Sequence, residues 1–212
     1  MKLVDLTLVG YVDEVRGESP APGGGSVSAY AGALGVSLTQ MVGSLTIDKK
    51  AFLEVPDDKK EEMKKLQSEL CAIRKELLEI VDTDASSFDD VMKAFKLPKE
   101  TDEEKKARTE AIQSGYKKAL EIPLRAAELC LEAMKKQYIY AQYGNKNAIT
   151  DVGVGTLLLQ SGIEGALFNV LINVKSIKDE SYRNMIIEKV NSLMKEGKEL
   201  KEETLKNVYS EL

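Results

Sequence analysis

One acidic residue stands where an apolar one is due. From Met63 the apolar positions run Met63, Leu66, Leu70, Ile73, Leu77 and Ile80, then Phe88, Val91 and Phe95, at helical spacings with a single gap, and Asp84 fills that gap. A carboxylate on a buried line loses hydration and needs a cation, a hydrogen-bond donor or a proton. Asp84 is therefore a candidate catalytic or cation-binding acid, the structural alternative being an acid satisfied by a neighbouring helix end. A second group lies in the segment YGNKNAITD, residues 143–151. There Gly144 suits the end of one helix, Thr150 the cap of the next, and Asp151 the dipole-favoured first turn. Capping accounts for those three residues but not for the amides of Asn145 and Asn147 beside the acid.

Three further features could bind a ligand. The run SPAPGGGS, residues 19–26, places Pro22, Gly23, Gly24, Gly25 and Ser26 directly before a long uncharged segment. Consecutive glycines let backbone N–H groups approach a ligand at a helix N-terminus, and a plain helix start capped by Ser26 is the simpler reading. The run matches neither the dinucleotide nor the phosphate-loop pattern. Gly162, Gly165, Asn169, Asn173 and Ser176 form one stripe on an otherwise apolar rod. Such a stripe is either helix-to-helix glue or the polar wall of a pocket that recognises a heterocycle. Lys49 and Lys50 follow the uncharged segment, where a helix dipole favours cations and where substrate carboxylates could also be met.

The chain contains no histidine, which removes Ser-His-Asp and Cys-His nucleophiles, His-dependent metal cages and the usual near-neutral acid-base group. Any proton transfer must use Asp, Glu, Lys, Tyr or Cys. The 212 residues are 43% hydrophobic and 31% charged, enough for the core of one compact domain. Thirty Lys and Arg against thirty-five Asp and Glu, interspersed, leave a net charge of -5 and argue against a nucleic-acid surface. The two cysteines, Cys71 and Cys130, fall in apolar helical patterns and read as buried free thiols of a reducing compartment; with no histidine they build no zinc site. The opening MKLVDLTLVGYVDEV is interrupted by acids and does not read as a secretory leader, so a cytoplasmic protein is expected.

The elements that must position these residues are all helical. Periodicity predicts a short helix over 5–16 and longer ones near 25–47, 57–96, 101–142, 150–177 and 179–209, within a single all-α domain, a bundle of long helices spanning 1–212. Residues 26–47 carry no charge and are long enough to span a bilayer. Ser28, Ser37, Thr39, Gln40, Ser44 and Thr46 make that segment too polar for lipid, so no membrane association is expected. Residues 152–177 are apolar around most of their circumference. Two such helices in a small bundle predict a homo-oligomer that dimerises through them.

Five segments, in order and covering nearly the whole chain, carry a resemblance: SPAPGGGSVSAYAGALGVSLTQMVGSLT with its trailing DKK, DTDASSFDDVMKAF, LPKETDEEKKAR, YGNKNAITD and NVLINVKSIKDE. Together they resemble the cyclodeaminase/cyclohydrolase family of folate enzymes. The resemblance implies an all-helical domain that assembles through homodimers and acts on the one-carbon unit bridging two nitrogens of tetrahydrofolate. One branch is formiminotetrahydrofolate cyclodeaminase, often fused to a formiminotransferase; the other is a stand-alone methenyltetrahydrofolate cyclohydrolase, to which LPKETDEEKKAR is similar. Carried over by position, the family's Gly-rich motif falls on Pro22 to Ser26, its lysines on Lys49 and Lys50, and its acid on Asp84 before Phe88. Its Gly-Asn loop falls on Gly144, Asn145, Asn147 and Asp151, and its Asn pair on Asn169 and Asn173. Asp48 departs from the basic or small residue that relatives carry, which weakens the lysine pair as a clamp for the substrate's tail.

The expected reaction is reversible hydrolysis of 5,10-methenyltetrahydrofolate to 10-formyltetrahydrofolate, without metal or cofactor. The substrate's amidinium carbon is already electrophilic, so a positioned water, a base and a stabilising carboxylate suffice. Asp84 and Asp151 are the expected catalytic pair, in exchangeable roles. Asn145, Asn169 and Asn173 are expected at the pterin, Asn147 among the substrate-binding residues, the glycine loop in backbone contact, and Lys49 and Lys50 at the glutamate tail. Cyclodeamination of the formimino adduct is the alternative, and a folate-binding or helical scaffold protein without turnover is a second.

Overall fold

A computed structural model describes residues 2–212, and among them there is no strand. The described residues form seven α-helices: α1 (Leu8–Arg16), α2 (Gly24–Ser44), α3 (Asp57–Ser86), α4 (Asp89–Phe95), α5 (Asp102–Tyr143), α6 (Ile149–Val174) and α7 (Glu180–Ser210). Short 3-10 turns at Leu3–Asp5, Lys50–Glu54 and Lys146–Ala148 join them. The all-α reading holds, with one correction. Residues 57–96 are two helices, because Ser86 and Ser87 donate their hydroxyls to the carbonyls of Thr83 (3.2 Å) and Asp84 (2.8 Å) and end α3 by local competition. The apolar stripe hid this break by continuing in phase. Downstream of it Val91 is buried, while Phe88 and Phe95 remain exposed.

α6 is the axis of the bundle and packs on α2, α5 and α7; α2 also lies on α3, and α4 on α5. α2 and α6 run antiparallel: Gly35 meets Gly155 and Leu159, Ser28 and Gly32 meet Gly162, and Gly24 meets Asn169. Small residues permit this approach. A methyl group added at Gly35 would stand 2.8 Å from the Gly155 carbonyl, and one at Gly162 would stand 2.8 Å from the Cys130 sulfur. Cys130 on α5 is thereby enclosed between Gly32 and Gly162, fully buried, and burial pushes its thiol pKa up to about 12. Cys71 departs from expectation, because it falls beside the apolar line of α3 and is exposed. Both cysteines are free thiols.

A buried polar joint fixes the centre. Gln137 on α5 donates to Thr39 on α2 (2.8 Å) and accepts from Thr156 on α6 (2.6 Å), so three helices share one satisfied network. α5 starts in a capping box of Thr101 and Glu104, and α7 is capped by Asp179, which accepts from the Tyr182 N–H (3.1 Å) and Lys117 (2.9 Å). Those donors hold the Asp179 carboxyl well below the usual carboxylate range, with Lys117 the largest cause. The segment Lys146–Val174 is long and apolar enough to cross a membrane by composition. Its packing on three neighbours is what a central helix of a bundle requires, and the same composition follows.

Candidate active site

Where α2 begins and α6 ends, a cleft of about 620 Å³ opens, bounded by the glycine loop, the end of α3, the start of α4, the middle of α5 and the end of α6. This is within the size range of small-molecule sites. Asp84, in the last turn of α3, lines it together with Gly23, Gly24, Gly25, Asn169 and Asn173. The carboxylate rests against the backbone of Gly25: a Cβ there would stand 2.5 Å from both its Cγ and Oδ2. Gly25 is therefore a glycine because Asp84 occupies the place of its side chain. Burial pushes the Asp84 carboxyl up from its ordinary value, and the Ser26 backbone N–H offsets part of the rise.

The first turn of α2 is pinned in place by a residue that sequence reasoning missed. Ser26 is not the cap; Gly23 is, and Ser26 lies one turn inside, fully buried. The Ser26 hydroxyl donates to the Val81 carbonyl of α3 (2.9 Å) and shares a second hydrogen bond with the Tyr11 hydroxyl of α1 (3.0 Å). The glycine turn is thus locked to the helix that carries Asp84. Tyr11 gave no sign of this in the sequence, since it sits on a short helix far from the motif. Pro22 is buried behind the loop and is not on the cleft surface.

The polar stripe of α6 has two fates. Asn169 and Asn173 face the cleft, and the Asn169 amide nitrogen donates to the Gly165 carbonyl (2.8 Å), which leaves its Oδ1 as the free acceptor. Gly162 and Gly165 instead serve helix contact against Ser28 and Cys130, and the Ser176 carbonyl accepts from Gln113 (3.0 Å). The apolar walls are Phe88, which precedes α4, Met92 of α4 and Ile172 of α6, all exposed to solvent.

The remaining expected site residues lie elsewhere. Asp151 is in the first turn of α6, eighteen residues before Asn169, which is about 27 Å along a helix. Within one chain Asp84 and Asp151 therefore lie at opposite ends of the α2–α6 pair, and the structure does not bring the expected catalytic pair together. Sequence spacing could not disclose this, because the antiparallel course of α2 and α6 puts the two motifs at opposite ends. Asn145 is a structural joint: its N–H donates to Thr46 (2.8 Å), its amide nitrogen to the Leu45 carbonyl (3.3 Å), and its Oδ1 accepts the Asn147 N–H (3.0 Å). It caps the 3-10 turn before α6 in place of Thr150, which falls inside the helix. Gly144 closes α5 in an extended conformation, its N–H bonded to the Tyr140 carbonyl (2.9 Å). Asn147, Lys49 and Lys50 are exposed at that same distant end and do not line the cleft. Among the described residues no cluster of acids and cysteines could hold a metal ion.

The chain is similar to several known proteins along most of its length. The methenyltetrahydrofolate cyclohydrolase of Methylorubrum extorquens is 35% identical over 206 residues, covering 97% of either chain. The formimidoyltransferase-cyclodeaminase of Rattus norvegicus is 38% identical over 196 residues, covering 92% of this chain and 36% of that protein. This chain thus spans about a third of the length of that bifunctional relative. A crystal structure of formiminotetrahydrofolate cyclodeaminase from Thermotoga maritima superposes with a TM-score of 0.86 at 25% identity, covering 99% of this chain and 98% of that one. The family profile described as Formiminotransferase-cyclodeaminase matches residues 7–192, which include Asp84, the glycine loop and the Asn pair, and the chain belongs to that family.

Proposed function

We propose that the protein hydrolyses 5,10-methenyltetrahydrofolate reversibly to 10-formyltetrahydrofolate. The observation that carries the reading is the desolvated Asp84 carboxylate against Gly25 in a cleft of ligand size, in a chain that matches a methenyltetrahydrofolate cyclohydrolase end to end. Water adds to the amidinium carbon between N5 and N10, and Asp84 accepts its proton. The C–N5 bond of the tetrahedral adduct then breaks with its electron pair and a proton passing to N5. The carbinol O–H becomes the formyl carbonyl, and one proton is released overall. A carboxyl raised above its ordinary value has a stronger affinity for that proton, which suits general-base work. The cationic substrate brings its own electrophile, so the reaction makes no demand for a histidine, a metal or a covalent nucleophile. The test is the absorbance decay of methenyltetrahydrofolate with purified protein; decay no faster than the buffer blank refutes the reading.

A second reading is favoured by the names of the bifunctional relative and the Thermotoga structure. In cyclodeamination, N10 of the 5-formimino adduct attacks the formimino carbon, and a protonated Asp84 gives its proton to the departing ammonia. The tetrahedral centre is the same. Offering 5-formiminotetrahydrofolate and methenyltetrahydrofolate to one preparation, and comparing kcat/KM, decides between them.

The working form in this reading is a homodimer. Val27, Leu34 and Met41 recur every seven residues on the outer face of α2 and, with Val154, Leu157, Phe168 and Ile172 of α6, leave an uncovered apolar band. A second copy of the band is its natural cover. Light scattering of the wild type and of Leu34→Glu tests this; an unchanged mass for both, equal to one chain, refutes it. The free thiols suit a reducing cytoplasm.

A further inference from the structure

The outward face of α6 reads the same from either end. Its apolar members Val154, Leu157, Phe168 and Ile172 are at least 49% exposed, so nothing in the chain covers them. Ser161 and Glu164 occupy the middle at the same helical spacing, both exposed. An acid opens the stripe and a base closes it: Asp151 lies in the first turn of α6, and Lys175 directly after Val174. Among the described residues neither makes an ion pair within the chain. Counted from Ile163, Asp151 and Lys175 are twelve residues away, Val154 and Ile172 nine, Leu157 and Phe168 six and five, and Ser161 and Glu164 two and one.

A stripe of that kind is matched by its own copy. A two-fold axis at the level of Ile163 lays a second α6 antiparallel to the first and sets each residue against its counterpart, apolar on apolar and acid on base. The counterparts then lie level to within about 1.5 Å, the rise of one residue. Parallel self-pairing would instead set Asp151 on the partner's Asp151 and Lys175 on the partner's Lys175. Docking α6 on the partner's α2 would leave both charges unmatched, since Gly24–Ser44 holds no charged residue. Leu34, the middle of the α2 stripe, lies within one turn of the same level, because Gly32 meets Gly162 and Gly35 meets Leu159. One axis thus serves both helices. Its cost falls on Glu164: the two carboxylates approach near the axis, each held by the Gln160 Nε2 of its own chain (2.7 Å) and facing the partner's Ser161.

Resting on the homodimer reading above, we infer that two copies of this chain associate with α6 laid antiparallel on α6, Asp151 paired to the partner's Lys175 at each end and Ile172 covered by the partner's Val154. The arrangement gives Asp151 a role in assembly in place of a catalytic one. It also bears on the site, because Ile172 lines the Asp84 cleft and the partner's Val154 then backs one of its walls.

The test reads the dimer dissociation constant by sedimentation equilibrium over a dilution series at low salt, with a thermal melt to confirm folding. Asp151→Lys and Lys175→Asp should each raise the constant by roughly tenfold, since each sets like charges together at both ends of the stripe. The double variant should return it to within about threefold of wild type. A double variant as weak as the single ones overturns the inference. Cross-linking locates the pairing independently. In a Cys71→Ser background, Val154→Cys/Ile172→Cys should oxidise to a species of two chains, because within one chain the two positions are eighteen residues, about 27 Å, apart. Val154→Cys alone should stay unlinked, its two copies being as far apart as that. A two-chain link through Val154→Cys alone, or through Val154→Cys/Met41→Cys, overturns the antiparallel register, as does a dimer in which Val154→Cys/Ile172→Cys remains unlinked. A wild type with the mass of one chain at every concentration overturns the homodimer reading itself, which separates the two failures.

Discussion

Gly25→Ala is the sharpest probe of the catalytic arrangement, because the perturbation is one methyl group aimed at one carboxylate. The new Cβ would stand 2.5 Å from the Asp84 Cγ, against an ordinary contact of 3.4 Å, so the carboxyl must retreat by about 0.9 Å or the first turn of α2 must swing away. The turn is held by Ser26, bonded to Val81 and Tyr11, so the carboxylate is the softer partner. A displacement of that size at a reacting group costs about 10²-fold in rate. Stability moves much less. Alanine is favoured over glycine in a helix by about 1 kcal/mol, and overpacking costs about 1–3 kcal/mol, leaving a net loss of at most about 2 kcal/mol. For a chain of this length that lowers the melting temperature by no more than about 8 °C. The assay pairs methenyltetrahydrofolate decay with a thermal melt, using Gly153→Ala as control, where the added methyl meets only a Val208 side chain at 3.2 Å. A folded Gly25→Ala enzyme within about threefold of wild-type kcat would show that the position of Asp84 does not control the reaction.

Asp84→Asn should lower kcat by about 10²-fold or more, the scale of a lost acid-base group. Burial raises the Asp84 carboxyl in the folded protein, so its contribution to stability is present below the unfolded pKa and is lost as pH rises through the folded one. Asp84→Asn should therefore melt above wild type at neutral pH and level with it in acid, and equal melting throughout would contradict the desolvation argument. The wild-type kcat/KM should fall on the acid side, with its inflection above the ordinary carboxylate range; a profile flat down to that range would exclude Asp84 as the base. Asp151→Asn, about 27 Å away along α6, should leave kcat within roughly threefold, and a loss of about 10²-fold would mean that a partner copy brings that end of α6 to the cleft. Tyr11→Phe removes one hydrogen bond to Ser26 and should cost about 1 kcal/mol, read as a fall of about 2–4 °C; an unchanged midpoint would show that Val81 alone holds the turn.

What could be read from the chain was whatever depends on local period. Asp84 declared itself because it interrupted a helical stripe, and Asn169 and Asn173 because they broke an apolar rod at the same spacing; both features meet in one cleft. Direction and pairing of helices have no local period. Asn145, Asn147, Asp151, Lys49 and Lys50 were therefore assigned to a site that lies at the opposite end of the α2–α6 pair. The break after Ser86 escaped notice because it falls between two stripe positions in phase, and Ser26 looked like a cap because a serine after glycines usually is one.

The enclosure of Cys130 between Gly32 and Gly162 makes the native protein its own conformational probe. Its two thiols differ in access to reagent: Cys71 is exposed, whereas Cys130 is fully buried, with its pKa pushed up to about 12. A maleimide dye will mark Cys71 alone, giving a uniformly labelled enzyme without mutagenesis. Every later adduct at Cys130 then records an excursion in which α2, α5 and α6 come apart. The rate of that second modification, followed with and without folate, reports how firmly a ligand at one end of the α2–α6 pair clamps its middle.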